Sequence, residues 1–137
     1  MKHKGNDMLF KRQRNNELMA AYRRIAKDVT HFNVQTHFGL VACQPCSRFW
    51  VSEERAASVI GAMQRGDDAL HGMRPTKQAM YREIHKRAAR LLQERPSLTL
   101  ADAAFLAVNS VAPCFYMTPR YAREIIYKML RQARRAP

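Results

Sequence analysis

The sequence predicts an all-α fold of two tandem similar three-helix units, each a helix, a short helix, an aromatic connector and a third helix. Three observations carry that prediction. Apolar residues recur at three- and four-residue spacing, and no alternating run is long enough for a sheet. Good N-cap residues stand ahead of the periodic stretches. The chain also repeats itself, since setting residue i against residue i+66 gives an ungapped match over much of its length. Phe49-Trp50-Val51-Ser52 falls on Phe115-Tyr116-Met117-Thr118, Val59-Ile60 on Ile125-Ile126, Met63 on Met129 and Leu40 on Leu106. The expected boundaries are 1–66 for a first repeat with a basic N-terminal arm, and 67–137 for a second repeat ending in a basic amphipathic helix.

The elements follow in order. Leu18, Tyr22, Ile25 and Val29 make one buried stripe and define the first helix. A short second helix runs from about Asn33 to Cys43. Ser52 caps the third, with Glu53 and Glu54 in the first turn, where the helix dipole favours anions. Gly66 closes it, and Gly66-Asp67-Asp68 opens a linker. In the second repeat, Pro75 starts a helix carried by Met80, Ile84, Ala88, Leu91 and Leu92 and stopped before Pro96. Thr99-x-x-Asp102 has the spacing of a capping box for a short helix ending near Asn109. Thr118-Pro119, a cap followed by an N1 proline, starts the last helix.

Charge points to the class of partner. The 137 residues carry 24 Lys+Arg against 11 Asp+Glu, a formal net charge of +13 that suits a polyanion or an acidic surface. Arginine dominates, and its planar fork grips phosphate oxygens bidentately. The two sequence halves share the charge, +6 on 1–66 and +7 on 67–137, as a long footprint would require. Arg120, Arg123, Tyr127, Lys128, Arg131, Arg134 and Arg135 line one ridge of the last helix, the expected nucleic-acid-binding residues. With the short helix before it, this forms a helix–turn–helix-like pair, although the connector Ser110–Met117 exceeds the usual turn. Lys2, Lys4, Lys11, Arg12 and Arg14 read as an arm able to follow the backbone or enter a minor groove.

Other motifs fare less well. Cys43-Gln-Pro-Cys46 with His31 and His37 offers a zinc half-site, but the His pair is not spaced to face the cysteines, so packing thiols are expected and no metal. An odd count of three cysteines fits a reducing compartment. Phe49 and Phe115 read as packing residues, whereas Trp50 and Tyr116 keep a stacking role on unpaired bases open. No Gly-rich phosphate loop or nucleophile elbow occurs, so neither an enzyme nor a cofactor is expected. No apolar run could span a membrane, and no apolar core follows Lys2 and Lys4 as in a secretory signal, so the expected location is cytoplasmic.

The expected function is therefore small basic nucleic-acid binding, to duplex DNA first, in a regulatory or architectural role. A protein-interaction or assembly module for an acidic partner is the alternative, with eight Met and broad apolar stripes that would also suit a homodimer. RNA or single-strand binding is the third reading.

Overall fold

The computed structural model describes residues 4–28 and 33–135. They form six helices and, among the described residues, no strand: α1 (Lys4–Lys27), α2 (Val34–Ala42), α3 (Glu53–Gln64), α4 (Pro75–Glu94), α5 (Leu100–Val108) and α6 (Pro119–Arg135). The all-α expectation is met. Val29 and His31 lie outside the described residues, as does Lys2.

The helices gather into two compact units that cut across the 1–66 and 67–137 division. Unit 1 is Met1–Cys46 with Pro113–Pro137, and unit 2 is Ser47–Ala112. Thus α6 packs with α1 and α2, and α3 packs with α4 and α5. The helix–turn–helix-like expectation paired α5 with α6, which belong to different units. The long Ser110–Met117 connector lets the chain pass from one unit to the other between them.

In unit 1, Leu18 and Ala21 of α1, Phe38 and Val41 of α2, and Ala122 and Ile126 of α6 form the buried centre. Aromatic rings concentrate there. Tyr22 stacks on Phe38 with centroids 5.8 Å apart, and Tyr127 meets Phe38 edge-on at 5.6 Å. Asn33 caps α2, its Oδ1 accepting the Thr36 N–H at 3.0 Å. Thr118 caps α6, its Oγ1 accepting the Tyr121 N–H at 3.1 Å. The connector is held to α2 by the Phe115 N–H, which donates to the Ala42 carbonyl at 2.9 Å. Phe115 itself is buried, as its packing role requires.

Unit 2 is built around the small residues of α5. Ala103, Ala104 and Ala107 are buried and let α3 and α4 come close. A Cβ on Gly61 of α3 would sit 3.4 Å from Leu100 Cδ2, already in van der Waals contact. Ser52 caps α3 through the Arg55 N–H at 3.0 Å, and Thr99 with Asp102 forms the expected reciprocal capping box, both bonds 3.1 Å. Gly66 takes φ +84° just past α3, the left-handed position that favours glycine.

Two arginines of unit 2 are consumed by the fold. Arg87 reaches Glu83 at 2.9 Å, Ser110 Oγ at 2.9 Å and the Val111 carbonyl, with its guanidinium 5.0 Å over the buried Phe49 ring. Arg48 donates to the Phe49 and Val51 carbonyls at 2.9 and 2.7 Å and lies 3.8 Å from Glu53. Burial works against ionised Glu53, but the Asn109 amide, its own backbone N–H and Arg48 outweigh it and hold the carboxyl below its usual range. Stability from a lowered carboxylate is complete above the unfolded-state pKa of about 4.3 and is lost as pH falls through the folded value. Glu53→Gln is therefore expected to cost about 1 kcal/mol at pH 7, with the gap closing below about pH 4 in paired thermal melts.

Candidate nucleic-acid interface

Regrouping the chain redistributes its charge. Unit 1 holds 14 Lys+Arg against 4 Asp+Glu, a formal +10, while unit 2 holds 10 against 7, a formal +3. The even +6 and +7 of the sequence halves is thus replaced by a strongly basic unit and a nearly balanced one. The cause is the membership of α6, whose cations join those of α1.

Within unit 1, α1 and α6 leave an open groove of about 740 Å³ between them. Lys11, Arg12 and Arg14 stand on its α1 wall, and Tyr121, Lys128 and Gln132 on its α6 wall. The Arg14 guanidinium lies 5.4 Å from the centroid of the Tyr121 ring, and its Nε donates to Asn15 Oδ1 at 3.1 Å. A stacked guanidinium has lost part of its rotamer freedom before any ligand arrives, and its in-plane N–H groups still point outward. Lys11, Arg12 and Lys128 are exposed, and one carboxylate, Glu124, lines the same groove. The arm expectation is corrected here, because Lys11, Arg12 and Arg14 sit on a helix that begins at Lys4.

The ridge on α6 is only partly as expected. Arg131, Arg134 and Arg135 are exposed, the last two in the final turn, where cations complement the helix dipole. Arg120 is exposed but lies 3.4 Å from Glu124 one turn on, so part of its charge is answered locally. Arg123 is half-buried, and Tyr127 spends one edge on Phe38. Sequence reasoning named the α1 cations as an arm but missed that they form a helical wall facing α6. Its signal was the run Lys11-Arg12-Gln13-Arg14, all fair helix formers, directly upstream of the Leu18 stripe.

Other candidates resolve into structure. The buried His37 ring has Nδ1 2.8 Å from the carbonyl of its own cap residue Asn33. No group of three His, Cys, Asp or Glu able to hold a metal occurs among the described residues. Asp67 and Asp68 are exposed beside Arg65 and His71, at 3.5 and 3.6 Å, as linker residues. Trp50 and Tyr116 are half-buried. No described helix is long and apolar enough to cross a membrane. Among known proteins, no family model matches the chain, and no curated protein or solved structure is similar to it.

Proposed function

We propose that this chain is a small, non-enzymatic nucleic-acid-binding protein of the cytoplasm, docking on duplex DNA through the α1–α6 face of unit 1. The observation that carries the reading is the +10 gathered on unit 1, part of it on both walls of one groove. Phosphate contacts of this kind fix affinity and register, and serve a regulatory or an architectural protein equally. Arg131, Arg134 and Arg135 add further exposed cations to α6.

We also propose that the chain is a tandem duplication whose copies have exchanged their third helices. The nine-residue helices α2 and α5 begin 66 residues apart, as do the caps Asn33 and Thr99, and Ser52 and Thr118. The Phe115–Ala42 backbone bond of unit 1 has its counterpart in unit 2, where the Phe49 N–H donates to the Val108 carbonyl at 2.9 Å.

Filter binding to random-sequence duplex across a salt series tests the functional reading. Each neutralised phosphate adds about −0.9 to the slope of log K against log salt, so about four contacts give roughly −4. Absence of retention on duplex DNA at low salt would overturn it. A protein-interaction module has one observation in its favour: Phe105, Leu106 and Val111 of unit 2 are 53%, 38% and 63% exposed. A salt-insensitive dimer in sizing chromatography, with no binding to DNA, would favour that reading instead.

A further inference from the structure

The three cysteines all fall in unit 1. Cys43 is the exposed C-cap residue of α2, Cys114 is half-buried in the connector entering α6, and Cys46 is buried. One backbone bond brings two of them together. The Phe115 N–H donates to the Ala42 carbonyl at 2.9 Å, so Cys114 and Cys43 are the residues bonded directly to the two peptide groups that meet. Cys46 has a different engagement, its Sγ donating to the Cys114 carbonyl at 3.3 Å.

Unit 2 shows what this position does elsewhere. There the Phe49 N–H meets the Val108 carbonyl, and the flanking residues are Arg48 and Asn109. Both reach the same Glu53 Oε2, at 3.8 and 3.0 Å. Side chains at these two positions therefore converge, and in unit 2 a carboxylate ties them. In unit 1 the corresponding positions, 66 residues away, carry two thiols.

We propose that Cys43 and Cys114 are a redox-sensitive modification site, closing to a reversible disulfide that fastens the end of α2 to the entrance of α6. The oxidant is a small-molecule disulfide. Cys43, as thiolate, attacks one sulfur of the oxidant, forms a mixed disulfide and releases one small thiolate. Cys114, as thiolate, then attacks Cys43 Sγ, forms the protein S–S bond and releases the second. Two protein thiols are oxidised, one oxidant disulfide is reduced, and the two protons pass to the released thiolates.

The order follows from exposure. Cys43 meets the oxidant in solvent, and Cys114 needs only to reach its neighbour. Burial pushes the Cys114 thiol up, and the nearby Cys43 sulfur adds to this against a hydrogen bond from the Tyr116 N–H, so Cys114 is the poorer first nucleophile near neutral pH. The inference stands apart from the nucleic-acid reading, since it needs no ligand.

The test is a non-reducing peptide map of the full-length protein, reduced, equilibrated with oxidised glutathione and quenched with an alkylating agent. The expected result is loss of two of the three titratable thiols and one bridged peptide pair joining Cys43 to Cys114, released by dithiothreitol. Cys43→Ser should leave no intramolecular bridge. Cys114→Ser should accumulate glutathione on Cys43. A Cys43–Cys46 bridge, a covalent dimer, or three thiols still free would each overturn the proposal, and the wild-type map alone decides among them.

Discussion

Exchanging Lys11, Arg12, Lys128 and Arg131 together for Gln should weaken binding to duplex DNA by roughly 10²–10³-fold near 0.1 M salt. The same change should flatten the log–log salt slope by about 3.6, four contacts at about 0.9 each. All four side chains are exposed, so their loss leaves the fold intact, whereas Arg14 is better kept because it stacks on Tyr121. The matched control removes four exposed cations of unit 2, Lys77, Lys86, Arg90 and Arg95. It should change the slope far less, since unit 2 is close to balanced. Equal effects from both sets would mean that only total charge matters, and the α1–α6 groove would lose its assignment.

Phe38→Ala should cost about 3–5 kcal/mol and lower the melting temperature by roughly 10–20 °C. The ring is 1% exposed and has an aromatic partner on two sides, Tyr22 flat against it and Tyr127 edge-on. Truncation therefore removes the transfer energy of a whole ring, opens a cavity among α1, α2 and α6, and deletes two ring pairs worth about 0.5–1.5 kcal/mol each. Thermal unfolding followed by circular dichroism gives the number. A loss below about 1 kcal/mol would mean that the three helices do not share this core.

The local elements were largely legible in the sequence, and the reasons are chemical. Asn33, Ser52, Thr99 and Thr118 each place a side-chain oxygen where the first free N–H groups of a helix need one, and each is a cap in the structure. Gly66 likewise marks a left-handed stop. What the pattern withheld was partnership. An apolar stripe says that a helix packs but not on which neighbour, so periodicity could not decide whether α6 packs on α4 and α5 or on α1 and α2. The α1 wall was hidden for the same reason. Residues 11–16 are polar throughout, and what Arg14 stacks on is Tyr121, far away along the chain. The cations on α6 were legible as a ridge, but the ion pair of Arg120 with Glu124 and the half-burial of Arg123 depend on geometry.

The division of the chain between the units also sets an order of assembly. Unit 2 is one uninterrupted stretch of 66 residues, Ser47–Ala112, and can close as soon as that stretch has left the ribosome. Unit 1 is written in two instalments, so the apolar faces of α1 and α2 wait for α6, which follows the whole of unit 2 along the chain. During that interval the nascent chain carries an uncovered sticky surface, and a chaperone has its opportunity to act then.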